Sequence, residues 1–92
     1  MAIGVFLNNF AEVLNTLVKK SGASCYMISK YAHVDEPYIH RLMRGDRTHP
    51  SPEIVVRICF ALVRLSSEIT IYDLDELLKS IGHTLFPRSN SL

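Results

Sequence analysis

The apolar residues of this chain recur with the period of an α-helix in five separate stretches. They return at spacings of three and four, and no alternating run is bounded by the turn residues of a β-hairpin. Each stretch also carries the capping residues or glycines that start and stop helices. The pattern therefore predicts an all-α, five-helix bundle with helices near residues 9–20, 25–31, 35–44, from 52 onward, and 70–82.

The third predicted helix separates its residues into two faces. Ile39, Leu42 and Met43 fall at i, i+3 and i+4, which is one face of a helix. The other face is polar and carries Glu36, Pro37, Tyr38, His40, Arg41 and Arg44. Side-chain chemistry favours Asp35 as its N-cap, whereas proline at the first helical position would favour Glu36, so both remain open. A rigid polar helix of this size fits the major groove of duplex DNA.

The fourth predicted helix is apolar over most of its circumference. One stripe contains Val55, Ile58, Cys59 and Leu62, and a second contains Val56, Phe60 and Val63. Such a helix must be covered from two sides, and we expect the fifth helix to supply the second cover. The fifth helix begins at Thr70, and its apolar residues are Ile71, Leu74, Leu77, Leu78 and Ile81. Residues 1–86 then form one domain with an N-terminal arm (1–8), and residues 87–92 form a flexible tail.

Length and charge narrow the class of protein. A chain of 92 residues fits one domain, and its net charge of +1 hides an uneven distribution. Between Lys19 and Arg64 there are eight Lys and Arg residues against four acids, whereas the segment from Leu65 onward has two against four. A basic middle suits a polyanion, although a solvated surface of mixed charge would look similar. Two cysteines, and an apolar N-terminus too short for a signal peptide or a membrane span, predict a cytoplasmic protein.

Residues Gly22–Leu62 resemble the Cro/CI-type helix-turn-helix domain of phage repressors and of the XRE family of bacterial regulators. The residues that carry the resemblance are Gly22, Ser24, Ile28-Ser29, Val34, Ile39, Leu42, Arg44-Gly45, Pro50-Ser51 and the stripe Val55, Ile58, Cys59, Leu62. Cys25 stands where the family usually has a polar residue, Met43 stands where Glu is common, and Asn15, Thr16 and Val18 replace an arginine-rich pattern. Helix five resembles the extra C-terminal helix of some members.

The resemblance implies double-stranded DNA as the partner and assigns two groups of contacts. In this family the start of the third helix meets base edges and the start of the second lies on the backbone. The base-edge candidates are Glu36, Pro37, Tyr38, His40 and Arg41. The phosphate candidates are Ser24, Cys25, Tyr26, Arg44, Arg47 and Thr48. A transcriptional regulator of this type is expected to act as a homodimer, through helix five with helix four or through the N-terminal arm.

Other functions find less support in the residues. No catalytic constellation is present, so we expect no enzyme, and no pair of His or Cys residues has the spacing of a zinc site. We expect no metal, cofactor, small-molecule ligand or membrane partner. Cys25 lies near a helix N-terminus, which lowers a thiol pKa and leaves a redox role open beside that of a small, partly buried side chain. The main alternative is a protein-interaction module, an antitoxin or adaptor, which the near-neutral charge and Glu36 favour.

Overall fold

The computed structural model describes residues 9–47 and 49–83, and within these ranges the chain forms five α-helices and no strand. The helices are α1 (Asn9–Ser21), α2 (Cys25–Ala32), α3 (Glu36–Arg44), α4 (Pro52–Leu65) and α5 (Ile71–Lys79). The all-α prediction is confirmed. The predicted N-terminal arm and tail lie outside the described residues. None of the helices in these ranges has the length and apolarity needed to cross a bilayer.

Local capping signals explain where three of the helices begin. The hydroxyls of Ser24 and Ser51 accept hydrogen bonds from the amides three residues later, at 3.1 and 3.3 Å. Thr70 and Asp73 form a reciprocal capping box, in which the Thr70 amide donates to the Asp73 carboxylate at 2.8 Å and the Asp73 amide to the Thr70 hydroxyl at 3.2 Å. These contacts depend on neighbouring residues alone, so the sequence could predict them.

The core lies where all five helices meet. Its fully buried large side chains are Leu14, Val55, Ile28, Ile39, Leu42, Ile58, Leu62 and Leu77. The stripe Val55, Ile58, Cys59 and Leu62 of α4 is buried as predicted. The most extensive packing joins α2 to α4, while α3 packs on α1 and α2. Two helices therefore hold α3 from one side, and its other side is left for solvent or a partner.

The fifth helix differs from its prediction in its end and in its packing. It ends at Lys79 and not at Gly82, because the amides of Ile81 and Gly82 bond carbonyls three residues back, which tightens the last turn. Leu77 and Leu78 are buried, and the helix packs against α1 and α4. Ile71, predicted to belong to its apolar stripe, is 52% exposed.

An ion pair links the start of α5 to α1. The Lys20 ammonium lies 2.7 Å from a carboxylate oxygen of Asp73. Burial alone would raise the pKa of Asp73, but hydrogen bonds from Lys20 and Thr70 lower that pKa below its ordinary value. A depressed carboxyl pKa contributes stability above the unfolded-state pKa, and the contribution disappears as the pH falls through the folded-state pKa. The link is therefore fully present at neutral pH.

The second apolar stripe of α4 is not covered by α5, contrary to the prediction. Val56, Phe60 and Val63 are 36%, 67% and 38% exposed. The Lys20–Asp73 pair joins the start of α5 to α1, and α5 packs against both α1 and α4 without covering this stripe. An apolar face of α4 thus remains uncovered by the other helices of residues 9–47 and 49–83.

The turn between α2 and α3 passes through a left-handed residue that is not glycine. His33 ends α2 with φ +58° and ψ +45°, and its side chain is exposed. A residue with a Cβ pays roughly 1–2 kcal/mol in this conformation, and glycine recovers part of that cost while losing more entropy on folding.

We expect His33→Gly to raise the free energy of unfolding by about 0.5–1 kcal/mol. Thermal unfolding followed by circular dichroism measures the change, and Tm should rise by several degrees. His33→Ala is the matched control, because it removes the imidazole but keeps the Cβ, and it should bring no gain. Equal Tm values for the two variants would show that the turn is not strained.

A candidate nucleic-acid interface

Helix α3 is fixed by one face and open on the other. Ile39 and Leu42 are completely buried, and Met43 packs partly against the core, as the pattern predicted. On the opposite side His40 and Arg41 are exposed, together with Pro37 and Arg44. Two of the predicted base-edge residues, Glu36 and Tyr38, are only half exposed. The polar face is therefore narrower than predicted, and Arg41 lies on its exposed part.

The first turn of α3 concentrates negative charge. Asp35 occupies the N-cap position, with Glu36 and Pro37 as the first two helical residues, which decides between the two predicted starts. The Asp35 side chain makes no capping hydrogen bond, and Pro37, at the second helical position, has no N–H to donate. A carboxylate oxygen of Glu36 lies 3.4 Å from Nε2 of His40, one helical turn later. The two carboxylates suit the positive end of the helix dipole but would oppose phosphates brought close to them.

The arginines that surround α3 differ in their partners. Arg44 donates from Nε to Asp46 at 3.0 Å, and the Arg47 guanidinium lies 6.0 Å from the centre of the Tyr38 ring. Arg41 forms no ion pair within residues 9–47 and 49–83. An exposed guanidinium on a rigid helix keeps its five donors for another molecule.

The start of α2 presents the predicted phosphate contacts unevenly. Ser24 is exposed, with its oxygen already engaged as the cap of α2, and Tyr26 is exposed beside it. The Cys25 thiol is half-buried and donates to the Met43 sulfur at 3.4 Å. What Cys25 can offer an outside phosphate is therefore its backbone amide, one of those that a helix N-terminus leaves unpaired. Thr48 lies outside the described residues.

The predicted lowering of the Cys25 pKa is wrong. Burial raises the pKa of this thiol, and the negative charge of Glu36 raises it further. These effects outweigh the helix N-terminus, since the side chain turns toward Met43 and the start of α3. Cys59 is buried in α4, and burial raises its pKa to about 11. Burial thus disfavours the thiolate form of both cysteines.

Asn15 holds the end of α3 against α1, a role that the sequence did not reveal. Its side-chain amide donates to the Ala11 carbonyl at 2.8 Å and to the Met43 carbonyl at 2.7 Å. The last carbonyls of a helix lack partners within it, so the second bond satisfies one of them. Asn15, Cys25 and Met43 thus connect α1, α2 and α3 at the C-terminal end of α3.

A groove beside α3 brings in a second missed residue, Arg57. The groove has a volume of about 610 Å³ and runs between the α2–α3 turn, α3 and the first turns of α4. Arg41 and Tyr38 line it from α3, and Ile54 and Arg57 from α4. Arg57 also donates to Glu53 at 2.8 Å. The sequence analysis did not single out Arg57, because the sequence pattern does not show which helix an exposed arginine faces.

The charges around α3 balance in number. Four arginines are opposed by four acids: Arg41, Arg44, Arg47 and Arg57 against Asp35, Glu36, Asp46 and Glu53. Two arginines are neutralised locally by Asp46 and Glu53, which leaves the positive charge concentrated at Arg41 and Arg47. Within the described part of the chain, no three His, Cys, Asp or Glu side chains are grouped as a metal site would require. Comparisons of the chain with family models, curated proteins and solved structures found no match.

Proposed function

We propose that the protein is a sequence-specific DNA-binding regulator that reads the major groove with α3. The observation that carries the proposal is Arg41, an exposed arginine that forms no ion pair with any residue the structure describes, on a helix anchored by Ile39 and Leu42. A further support is the short connection from α2 to α3, residues 33–35, with the start of α2 exposed beside α3. On this proposal the fold is of the Cro/CI-type helix-turn-helix class.

Each exposed side chain then has a definite partner on the duplex. Arg41 gives a bidentate pair of hydrogen bonds to guanine in the major groove. Pro37 makes an apolar contact with a thymine methyl group, and Glu36 accepts from cytosine N4 while disfavouring other bases. Ser24, Tyr26, the Cys25 amide, Arg44 and Arg47 contact phosphates and set the register of α3. A single α3 reads few base pairs, so two copies bind a two-fold-related site.

Selection of bound duplexes from a random pool tests this function. The expected result is one enriched motif with two-fold symmetry, bound in preference to a shuffled duplex at moderate salt. Specific contacts survive the added salt better than purely electrostatic ones, because counterion release accounts for most of non-specific binding. A pool that shows no enrichment after repeated rounds would refute sequence-specific binding.

A second candidate is a protein-interaction module with the same fold and little DNA binding. The balanced charges around α3 and the open apolar stripe of α4 favour it. A mobility shift on duplex DNA at low and at moderate salt separates the two. The regulator gives a shift that persists at moderate salt with the selected duplex, whereas the interaction module gives a weak shift or none at low salt and no shift at moderate salt.

Asp46→Asn should strengthen DNA binding several-fold without changing the fold. The substitution removes a carboxylate near the phosphates and releases the Arg44 guanidinium that Asp46 now holds. Exposed pairs of this kind contribute only about 0–1 kcal/mol to stability, so the free energy of unfolding should hardly change. Fluorescence anisotropy over a range of salt concentrations measures the affinity, and its salt dependence should steepen. Glu76→Gln on α5 removes the same charge elsewhere, and an equal gain in that variant would contradict a local role for Asp46.

A further inference from the structure

The open stripe of α4 is an apolar surface that the other described helices leave uncovered. Val56, Phe60 and Val63 lie at i, i+4 and i+7 on one face, and Phe60 is 67% exposed at its centre. A stripe of this kind is typical of a surface that another helix covers.

Two unlike charges border the stripe on the same edge. Glu53 and Arg64 are eleven residues apart, which corresponds to about 16 Å along a helix and about 20° around it. Glu53 therefore lies beyond one end of the stripe and Arg64 at the other. Glu53 bonds Arg57, yet its side chain is 74% exposed and can accept from a second donor. Arg64 lies 5.7 Å from the centre of the Tyr31 ring and has no carboxylate partner in residues 9–47 and 49–83.

This charge order makes the face complementary to a second copy of itself in one orientation. Suppose that two α4 helices pack antiparallel about a two-fold axis that passes the middle of the stripe. The positions of Glu53 in one copy and Arg64 in the other, measured along the helix axis, then differ by only about 3 Å. If they pack parallel about a two-fold axis, this edge of one helix lies on the opposite side of the contact from the same edge of the other, so neither Glu53 nor Arg64 gains an oppositely charged partner. A C2 interface uses the same patch on both subunits, as this arrangement does.

We propose that the protein forms a homodimer in which the α4 helices pack antiparallel through Val56, Phe60 and Val63, with Glu53 of each copy paired to Arg64 of the other. The stripe spans only two helical turns, so the interface is at the small end for stable dimers and the free protein dimerises weakly. The proposal deepens the proposed function, because a two-fold DNA site requires a two-fold protein, but dimerisation itself takes place without DNA. Helix α5 is not part of this interface.

Sedimentation velocity of the full chain without DNA tests the proposal over micromolar to near-millimolar concentrations. The wild type should approach twice the 10.4 kDa mass of one chain as the concentration rises. Phe60→Glu places two like charges at the centre of the apolar contact and should weaken dimerisation by at least tenfold. Tyr72→Glu, at the most exposed apolar position of α5, is the matched control and should leave the dimer unchanged. Circular dichroism verifies that both variants remain folded.

A charge exchange tests the orientation. Glu53→Arg and Arg64→Glu should each weaken the dimer, and the double variant should restore it, because only the antiparallel arrangement brings these two positions together. A wild type that stays monomeric, a dimer that Phe60→Glu leaves intact, or a dimer broken by Tyr72→Glu would overturn the proposal. A full chain that stays monomeric while a chain without residues 1–8 dimerises would also overturn the proposal. DNA binding is measured separately, so loss of the dimer and absence of DNA binding are distinguishable.

Discussion

Ile39→Ala should lower the free energy of unfolding by about 2–5 kcal/mol, the range for truncating a fully buried aliphatic side chain. Ile39 has no exposed surface and lies in the core with Leu14, Ile28 and Leu42. The loss combines the lost burial of the removed atoms with the cavity left between α3 and its neighbours. A domain of this size has a total stability of roughly 5–14 kcal/mol, so the variant would be substantially weakened.

Urea unfolding followed by circular dichroism measures this loss as a lower midpoint at an unchanged slope. His40→Ala, on the exposed side of the same helix and next to Ile39 in sequence, is the matched control. Surface substitutions of this kind change stability by about 0.5 kcal/mol or less. If the two variants lost equal stability, α3 would not be anchored through Ile39, and the orientation of its polar face would be wrong.

Arg41→Ala should reduce affinity for the selected duplex by about 5- to 150-fold for each copy bound, the equivalent of about 1–3 kcal/mol per copy, and weaken binding to a shuffled duplex only slightly. Arg41 is exposed and forms no ion pair in the described part of the chain, so its removal leaves no buried charge behind. The loss is confined to the specific complex because a base contact acts only where the correct base is present.

Anisotropy titrations with both duplexes provide the measurement. Lys30→Ala is the control: it removes one positive charge from an exposed position on α2 that the proposed contacts do not use. It should weaken both duplexes slightly and equally. Equal effects of Arg41→Ala and Lys30→Ala on the specific duplex would mean that Arg41 contributes only charge, and the assignment of base readout to α3 would fail.

The positions of the helices were predictable because their signals are local. Ser24, Ser51 and Thr70 each bond an amide three residues later, so a few adjacent residues decide where these helices begin. The buried face of α3 was predictable for a similar reason, since Ile39 and Leu42 share one side of any helix that contains them. These inferences needed no knowledge of how the helices pack.

Contacts between helices were beyond the reach of the pattern. The apolar residues of α4 show that two of its faces are unsuited to water, but not whether the same chain covers both. The Cys25 pKa depends on how deeply the thiol is buried and on the distance to Glu36, and neither follows from sequence spacing. Asn15 and Arg57 are likewise ordinary polar residues in the sequence, and only the packing shows that they face α3.

Asp75 shows the same limit within one helix. The helix dipole accounts for Asp73 in the first turn of α5, which the sequence alone could indicate. Asp75, however, is buried, and a carboxylate oxygen of its side chain lies 3.2 Å from the Lys79 ammonium. Its position on the helix gave no sign of this, because burial of the adjacent face depends on where α5 packs.

The central claim is that duplex DNA binds the exposed side of α3, and an NMR titration tests it most directly. A ¹⁵N-labelled chain of 10.4 kDa is well suited to following each amide as the selected duplex is added. The account predicts that the largest shift changes occur in α3, from Glu36 to Arg44, and at the start of α2, from Ser24 to Tyr26. Shift changes confined to α4 and α5, or none at all, would contradict it.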